Sequence, residues 1–355
     1  MKAHFLPEGD HILLLKAAFE PDRVVAAQHW LRWREQNTLD ACEHRLHRLL
    51  PLIYRRLEKA PIDNADLAIL RGVYRYNWTR NQLLARSAAE SILALQNAAV
   101  DVLVLKGMAL AHVGYADIGA RPMQDFDILI KPEQRPLALQ VLAQQGWKPT
   151  YPVPDVSAQH ACELKNELGH LLDLHWYSNS QCCWPEIDRD FWLRSQPFKL
   201  QGVLTRTLAP GDLLLQVCLH AAKDGVEPVG WPADAIVLLH QSPDLSAFLQ
   251  EACQRRSVLS LHLTLHHLRE ALKAPVPEWL LQQLRNTPVP WIDRLYYWCK
   301  IRGGWSWSFW LTPLLEYWRG ERRGFLHFLR RRWGLQRIRQ IPGQALKRAC
   351  QKGDF

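Results

Sequence analysis

Two aspartates separated by a single residue, Asp125 and Asp127, are the strongest candidates for chemistry in this sequence. Side chains of a β-strand alternate between its two faces, so both carboxylates project to one side while Phe126 and Ile128 face a core. Like charges on one face repel each other, and a bound cation relieves that repulsion. Oxygen ligands at this spacing suit Mg²⁺, which takes one or two carboxylates and completes its shell with water and substrate phosphates.

A third carboxylate, Asp173, interrupts the apolar run from Leu171 to His175. If this segment is a strand beside the first one, three carboxylates converge. An Asp-x-Asp pair by itself is a weak signal, because most such pairs are solvated strand ends or turn caps. The context favours a metal site, since a buried-looking strand ends in Lys106-Gly107, a glycine-containing loop follows, and the acid pair opens the next strand.

The elements that must position these acids are short strands set between long helices. Predicted strands cover residues 101–105, 125–130, 160–165 and 169–176. Predicted helices cover residues 108–113 and 133–145 among the strands, 10–60 and 65–98 before them, and 210–297 after them. This order indicates an α+β fold, in which a small mixed β-sheet is flanked by N-terminal and C-terminal helical regions.

Composition and charge exclude several classes of protein. The 355 residues are 48% hydrophobic and 22% charged, which is not the composition of a mainly disordered or fibrous chain. The net charge is +9, and residues 301–355 carry all of it, because they hold 12 Lys and Arg against three acids. The sequence therefore predicts a neutral body with a basic C-terminal segment.

The basic segment 301–355 combines arginines with aromatic residues. Three consecutive arginines at 330–332 lie near Phe325, Phe328 and Trp333. This pattern suits RNA, whose phosphates pair with arginine and whose bases stack on aromatic rings. It also suits an anionic membrane surface, and a third alternative is a helix that packs on the body with a solvated basic face.

Cysteine usage and hydropathy bear on the compartment. Eight cysteines without a C-x-x-C pair, in a chain of this size, indicate reduced thiols. The N-terminus does not have the pattern of a signal peptide, and no apolar stretch approaches the ~18 residues of a spanning helix. We therefore expect a cytoplasmic protein, with peripheral association at a membrane as an alternative.

Several short motifs occur together and resemble a known superfamily. They are Leu-Lys-Gly-Met-Ala-Leu at 105–110, Arg-Pro-Met-Gln-Asp-Phe-Asp-Ile-Leu-Ile at 121–130, Asp-Leu-His-Trp at 173–176 and His-Ala at 220–221. The set resembles nucleotidyltransferases of the DNA polymerase β type. More narrowly, it is similar to an uncharacterised bacterial nucleotidyltransferase family that is distantly akin to toxin-type nucleotidyltransferases. The resemblance covers roughly residues 10–240.

The order of elements and the charge divide the chain into four parts, and the resemblance implies the roles of residues in the core. Residues 1–98 would form a helical N-terminal region, 99–205 the nucleotidyltransferase core, 206–300 a helical domain and 301–355 the basic segment. Asp125, Asp127 and Asp173 would be the catalytic acids and hold Mg²⁺ (or Mn²⁺), and Asp173 would also accept the proton of the attacking hydroxyl. The nucleotide would contact Lys106, Gly107, Met108 and Arg121. Met108 departs from the superfamily, which has a small or hydroxylated residue after the glycine.

The implied reaction transfers a nucleoside monophosphate from an NTP to an acceptor hydroxyl and releases pyrophosphate. The acceptor is left open between a small molecule or sugar, a protein and an RNA. The alternative is a non-catalytic nucleotide- or RNA-binding module that retains the fold.

Three further residues are candidates for the edge of the substrate cleft. His175 follows Asp173 by two and shares its face, with a structural hydrogen bond as the alternative role. His220 and Asp234 lie near the cleft only if the later helices pack against it; helix packing and surface capping are the simpler interpretations. The spacing of His170 and His175 does not suit zinc, and no G-x-S-x-G motif supports hydrolysis by a serine nucleophile.

Overall fold

The computed structural model describes residues 6–39, 44–60, 62–154, 159–224, 230–302 and 338–350, with a few positions between 311 and 335. Arg330, Arg331 and Arg332 lie outside the described residues, so the alternatives for the basic segment stay predictions. Trp333 is described, and it packs with Leu329 and Ile341 in a small apolar cluster.

Helices dominate the N-terminal region, as the apolar periodicity predicts. Those described are α1 (Asp10–Phe19), α2 (Arg23–Gln36), α3 (Leu50–Leu57) and α4 (Asn64–Asn97). α1 to α3 bury a shared apolar core that includes Trp30 and Trp33. α4 begins at an N-cap, Asp63, whose carboxylate accepts a hydrogen bond from the amide of Ala65. The C-terminal half of α4 belongs to the main core through residues such as Ala88 and Ile92.

A mixed β-sheet lies at the centre of the described chain, which confirms the predicted α+β fold. Its strands are β1 (Leu103–Leu105), β2 (Asp125–Leu129), β3 (Lys148–Pro149), β4 (Ala161–Lys165), β5 (Leu171–His175), β6 (Gln196–Leu200) and β7 (Val203–Thr207). Their order across the sheet is β3-β4-β5-β2-β1-β7-β6. β2, which carries Asp125 and Asp127, pairs in parallel with β5 on one side and antiparallel with β1 on the other.

Short helices connect the strands. They are α5 (Lys106–Ala109), α6 (Arg135–Gln144) and α7 (Arg189–Arg194). The helix predicted at 108–113 therefore begins two residues earlier, directly after β1, and continues as a single π-helical turn from Leu110 to Gly114. Because no loop separates β1 from α5, Lys106 and Gly107 lie directly at the end of β1.

The β6–β7 hairpin was not predicted from the sequence. Both strands alternate buried and exposed residues, with Phe198 and Thr205 facing the core. Gln201 and Gly202 join them with φ of 47° and 87°, as in a type I′ turn. Pro197 within β6 lowers the strand signal, and the proline is tolerated because β6 is the edge strand of the sheet.

Helices follow the sheet up to residue 302. They are α8 (Pro210–Asp224), α9 (Gly230–Leu239), α10 (Leu245–Gln254), α11 (Val258–Leu272), α12 (Glu278–Asn286) and α13 (Trp291–Arg302). Residues of α8 to α12 share one continuous apolar core with the sheet. The division at residues 98, 205 and 300 stays a prediction. Within the described chain, no helix combines the length and apolarity that crossing a membrane requires.

Candidate functional site

Strand register brings Asp127 and Asp173 side by side. In the parallel pair of β2 and β5, Asp127 lies directly opposite Asp173, and Asp125 lies two residues earlier on the same face. On the other side of β2, Leu105 of β1 is the partner of Asp127, so Lys106 follows at the end of the strand. Residues that are far apart in sequence thus meet because β2 and β5, side by side, begin next to the end of β1.

Two basic groups contact Asp127 directly. Lys106 Nζ donates to Asp127 Oδ1 at 2.5 Å, and His175 Nε2 lies 3.0 Å from the same oxygen. Lys106 Nζ and His175 Nε2 are 3.4 Å apart. Asp127 and His175 are buried, with 4% and 1% of their surface exposed. The ammonium of Lys106 supplies positive charge beside the buried carboxylate of Asp127.

The backbone at Lys106 is in an unusual conformation. Its φ is +39°, in the left-handed region that residues with a Cβ rarely adopt. The conformation belongs to the abrupt passage from β1 into α5. Strained backbone of this kind is found where a side chain must be aimed at a site, and here it carries the ammonium to Asp127.

The three carboxylates differ in their affinity for protons. Burial and the neighbouring Asp127 raise the pKa of Asp125 to about 6 and the pKa of Asp173 to about 7. Burial alone would also raise the pKa of Asp127, but Lys106 and His175 outweigh it and hold that pKa below its ordinary value. The cluster therefore carries one fixed negative charge and two carboxylates that another cation would help to ionise.

A cavity of about 510 Å³ opens over these acids. We call it the acid cavity. Its floor includes Asp125, Asp127 and Asp173, and its far wall comes from α8 and the start of α9, with His220 and Trp231 among the lining residues. The helices after the sheet thus complete a cavity of the size that small-molecule sites commonly have.

Arg121 and Asp234 form a buried ion pair at the edge of the acid cavity. Arg121 Nε and Nη2 each donate to a carboxylate oxygen of Asp234 at 2.8 Å. Tyr115 Oη donates to the same carboxylate at 2.8 Å. The charge of Arg121 is therefore balanced by a protein side chain, and the surface-capping interpretation of Asp234 is wrong because this residue is 6% exposed.

The loop that carries Arg121 is anchored on α4. Asn81 is fully buried, and its Nδ2 donates to the backbone oxygens of Ile118 and Arg121 at 2.6 and 2.8 Å. This loop leads directly into β2. α4 therefore positions the start of the strand on which Asp125 and Asp127 lie.

Gly107 and Met108 have different surroundings. A Cβ at Gly107 would lie 2.7 Å from Arg121 Nη1, so with a larger residue there the end of the Arg121 side chain would have to shift. Met108 is fully buried in the main core. Its side chain does not line the acid cavity, so the position after the glycine contributes packing rather than a side chain at the acids.

Most of the predicted site residues lie together. Lys106, Gly107 and Arg121 line the acid cavity with the three aspartates, and so do His220 and Asp234. His175 lies beneath Asp127 and contacts it. Met108 is the residue that the structure places elsewhere.

Sequence reasoning missed three residues of this region. Arg48 lines the acid cavity, Tyr115 orients Asp234, and Glu163 lies opposite Asp173 in the β4–β5 ladder. Glu163 carries a weak signal, since it is an acid within an apolar strand. Arg48 and Tyr115 have none, because their helix and loop reach the site only through tertiary packing.

The residues fit a divalent cation. Asp127, Asp173 and His175 each offer one ligand atom, and these atoms lie within 4.8 Å of one another. The mutual repulsion of the carboxylates favours added positive charge, and the ammonium of Lys106 already stands in for it. Carboxylate oxygens suit Mg²⁺ or Mn²⁺, and the imidazole of His175 either joins them or orients Asp127.

Comparisons with known proteins give one family match and several structural likenesses. Residues 41–273 match the model of a family described as uncharacterised nucleotidyltransferase. A crystal structure of an antigenic nucleotidyltransferase-like protein from Paracoccidioides brasiliensis is 19% identical, with a TM-score of 0.37 over 54% of this chain and 94% of that one. The solution structure of the antibiotic-resistance factor ANT(2'')-Ia is 14% identical, with a TM-score of 0.36 over 52% and 97%. The comparison with curated proteins gives no match.

Proposed function

The chain belongs to the family of uncharacterised nucleotidyltransferases, and from that premise we propose that it is an enzyme transferring a nucleoside monophosphate from an NTP to an acceptor hydroxyl. Pyrophosphate is the second product. The observation that carries the proposal is the convergence of Asp125, Asp127 and Asp173 on the floor of one cavity. Such transfer depends on positioning and on neutralising phosphate charge more than on a protein nucleophile.

Asp127 and Asp173, whose ligand atoms converge, would hold the metal, Mg²⁺ or Mn²⁺, with Asp125 on the same face as the third carboxylate. When bound there, a divalent cation supplies charge neutralisation for the triphosphate and for the pyrophosphate that leaves. His175 keeps Asp127 oriented through its contact with Oδ1.

Asp173 is the candidate to take the proton of the acceptor hydroxyl. Without a metal, burial and the neighbouring Asp127 raise its pKa to about 7, and a bound divalent cation would lower that pKa and leave Asp173 as the carboxylate that takes the proton. Gly107 lines the acid cavity without a side chain, and the guanidinium of Arg121 packs against it. Lys106 would exchange its contact with Asp127 for one with a phosphate oxygen when the nucleotide enters.

One observation favours the alternative of a non-catalytic nucleotide-binding module. The contact of Lys106 with Asp127 already neutralises the most buried carboxylate without a metal. A fold that has lost its chemistry would be stabilised by such a pair. The two functions differ in whether the acids are needed for turnover or only for folding.

The experiment that separates them measures pyrophosphate release and label transfer from each of the four labelled NTPs, with Mg²⁺ or Mn²⁺ and with small-molecule, protein and RNA acceptors. We expect release by the unaltered protein and its loss in the double variant Asp125→Asn/Asp127→Asn. The matched control is Asp101→Asn, since this aspartate pairs with Lys131 at the surface. Two results would contradict the proposed enzymatic function. One is pyrophosphate release that persists in the double variant, and the other is the absence of release with every NTP and every acceptor.

A further inference from the structure

The acid cavity continues into a groove along α4. A second cavity of about 490 Å³ shares the lining residues Arg48, Met123 and Gln124 with the acid cavity. A third, of about 390 Å³, shares Tyr76, Arg80 and Gln124 with the second. We call the second and third cavities together the α4 groove. It leads from the surface at Leu168 to the three carboxylates.

One face of α4 forms the wall of this groove. Gly72, Tyr76 and Arg80 recur every four residues, so they lie one above another along the helix. Gly72 has no atom within 4 Å of the place where a Cβ would be, which leaves the groove wide at that point. The groove is therefore long and open, unlike a pocket shaped for one compact ligand.

The charge of the α4 groove is opposite to that of the acid cavity. Arg48 stands at the junction and Arg80 further out. His170 is also in the lining, but burial lowers its pKa, so the positive charge comes from the two arginines. Among its described lining residues there is no carboxylate. A chain of phosphates would find cations along the groove until it reaches the acids.

Exposed apolar surface lines the same groove. Tyr76 is 64% exposed, and Leu83 and Leu168 are 56% and 76% exposed. Large apolar side chains left in water beside cations suit a ligand that has flat apolar rings as well as negative charge. Tyr76 offers a ring face for stacking between Arg80 and the junction at Arg48.

We propose that the α4 groove binds the end of a single-stranded nucleic acid. Its phosphates contact Arg48 and Arg80, a base stacks on Tyr76, and its terminal hydroxyl reaches the acid cavity. The role of this strand as the acceptor rests on the proposed transferase function. Binding of the strand to the groove does not rest on that function, because it requires neither a nucleoside triphosphate nor a metal.

The test measures binding of fluorescent 12-residue single-stranded RNA and DNA to the full chain, by anisotropy, without NTP and without divalent metal. Tyr76→Ala is expected to weaken binding roughly tenfold through lost stacking. Arg80→Glu is expected to weaken it and to reduce the slope of log affinity against log salt by about one. Arg75→Glu is the matched control, since Arg75 is exposed on the same helix and does not line the groove.

Three results would overturn the groove assignment. The first is unchanged binding in both groove variants, and the second is equal weakening by Arg75→Glu. The third is a duplex that binds as tightly as the single strand and whose binding does not depend on Tyr76. The basic segment 301–355 is identical in all variants, so a difference between variants comes from the groove. Acid-dependent transfer to a small acceptor, without groove-dependent binding, overturns the groove and leaves the enzyme. Groove-dependent binding without any acid-dependent pyrophosphate release keeps the groove and overturns the enzyme.

Discussion

Lys106 is the residue on which the state of the acid cluster depends. Its ammonium lies 2.5 Å from Asp127 Oδ1, in the place where an added cation would be stabilised. Burial alone would lower the pKa of Lys106, but Asp127 outweighs it and raises that pKa, so the lysine stays charged. A metal bound at the acids would therefore compete with this ammonium for the same carboxylate.

The variant Lys106→Met tests this competition. We expect Mn²⁺ to bind more tightly to the nucleotide-free variant than to the unaltered protein, because no ammonium has to leave Asp127. In the absence of metal the variant should be less stable, by up to about 3 kcal/mol, since Asp127 loses its partner. Titration calorimetry with Mn²⁺ and thermal unfolding in a chelator measure the two effects.

Lys131→Met is the matched control for that variant. Lys131 pairs with Asp101 at 2.7 Å, but both side chains are about half exposed, so its removal should change stability by less than about 1 kcal/mol. It should leave Mn²⁺ binding unchanged. Weaker Mn²⁺ binding in Lys106→Met would mean that the lysine assists the metal rather than competing with it.

Among the elements, α9 and the loop before β2 are tied together by Arg121 and Asp234. The pair is bidentate, and the two side chains are 14% and 8% exposed. Tyr115 donates to the same carboxylate, and burial and Asp234 raise the pKa of Tyr115 well above its usual value. The tie holds the wall of the acid cavity against the strand that carries the acids.

Removing either member of the Arg121–Asp234 ion pair should lower the stability of the protein. Asp234→Asn and Arg121→Met are each expected to lower the free energy of unfolding by roughly 3–5 kcal/mol, because each leaves a buried charge without its partner. The double variant should lose less than the sum of the two, since the residues act as one unit. Chemical denaturation of the three variants gives these values.

The exposed pair of Arg86 and Glu90 on α4 is the reference for that measurement. Its side chains are 78% and 62% exposed, so Glu90→Gln should cost no more than about 0.5 kcal/mol. Additive losses in the double variant of Arg121 and Asp234 would show that the two side chains do not stabilise each other.

The elements that sequence reasoning predicted well are those with a strong local pattern. α4 matches the predicted helix at 65–98 to one residue at each end, and β2 and β5 lie within the predicted strands. The β6–β7 hairpin was missed because its apolar residues alternate over five positions only and one strand contains Pro197. Such short strands are stabilised by their neighbours in the sheet, which a local pattern does not contain.

On the scale of the whole molecule, charge and chemistry occupy different parts of the chain. The net charge of +9 comes from residues 301–355, whereas the acids lie near the middle of the sequence. We therefore expect the basic segment to bear on association with a polyanion, or on packing against the body, rather than on the proposed transfer reaction. The α4 groove is a separate basic surface, and it lies beside the acids.

Replacing Arg330, Arg331 and Arg332 together with alanine tests this separation. Affinity for anionic vesicles or RNA should fall, and the salt dependence of RNA binding should weaken by about two to three in slope. Pyrophosphate release in the presence of a small acceptor should not change. Filter binding over a range of salt, vesicle sedimentation and the release assay report these quantities.

Arg23→Ala/Arg71→Ala/Arg75→Ala removes the same charge from exposed positions of the N-terminal helices. If this control weakens binding as much as the triple change at 330–332, net charge alone accounts for the association. Loss of pyrophosphate release in the tail variant would contradict the separation of charge from chemistry.

The sequence by itself determined the acids, their common face on β2 and the α+β order of elements. These properties are local, since residue type, period-two alternation and apolar runs can be read along the chain. From the sequence, Asp173 was expected to lie beside Asp127 only if the two strands paired. The parallel register of β2 and β5 satisfied that condition.

Only the tertiary structure decided what surrounds the acids. Lys106 neutralises Asp127 because β1 ends beside it, Arg121 is balanced by Asp234 from a helix more than a hundred residues later, and Met108 points into the core. The α4 groove exists because a helix from the N-terminal region packs beside the sheet. Contacts between distant segments depend on how whole elements pack, and no local pattern of residue types records that packing.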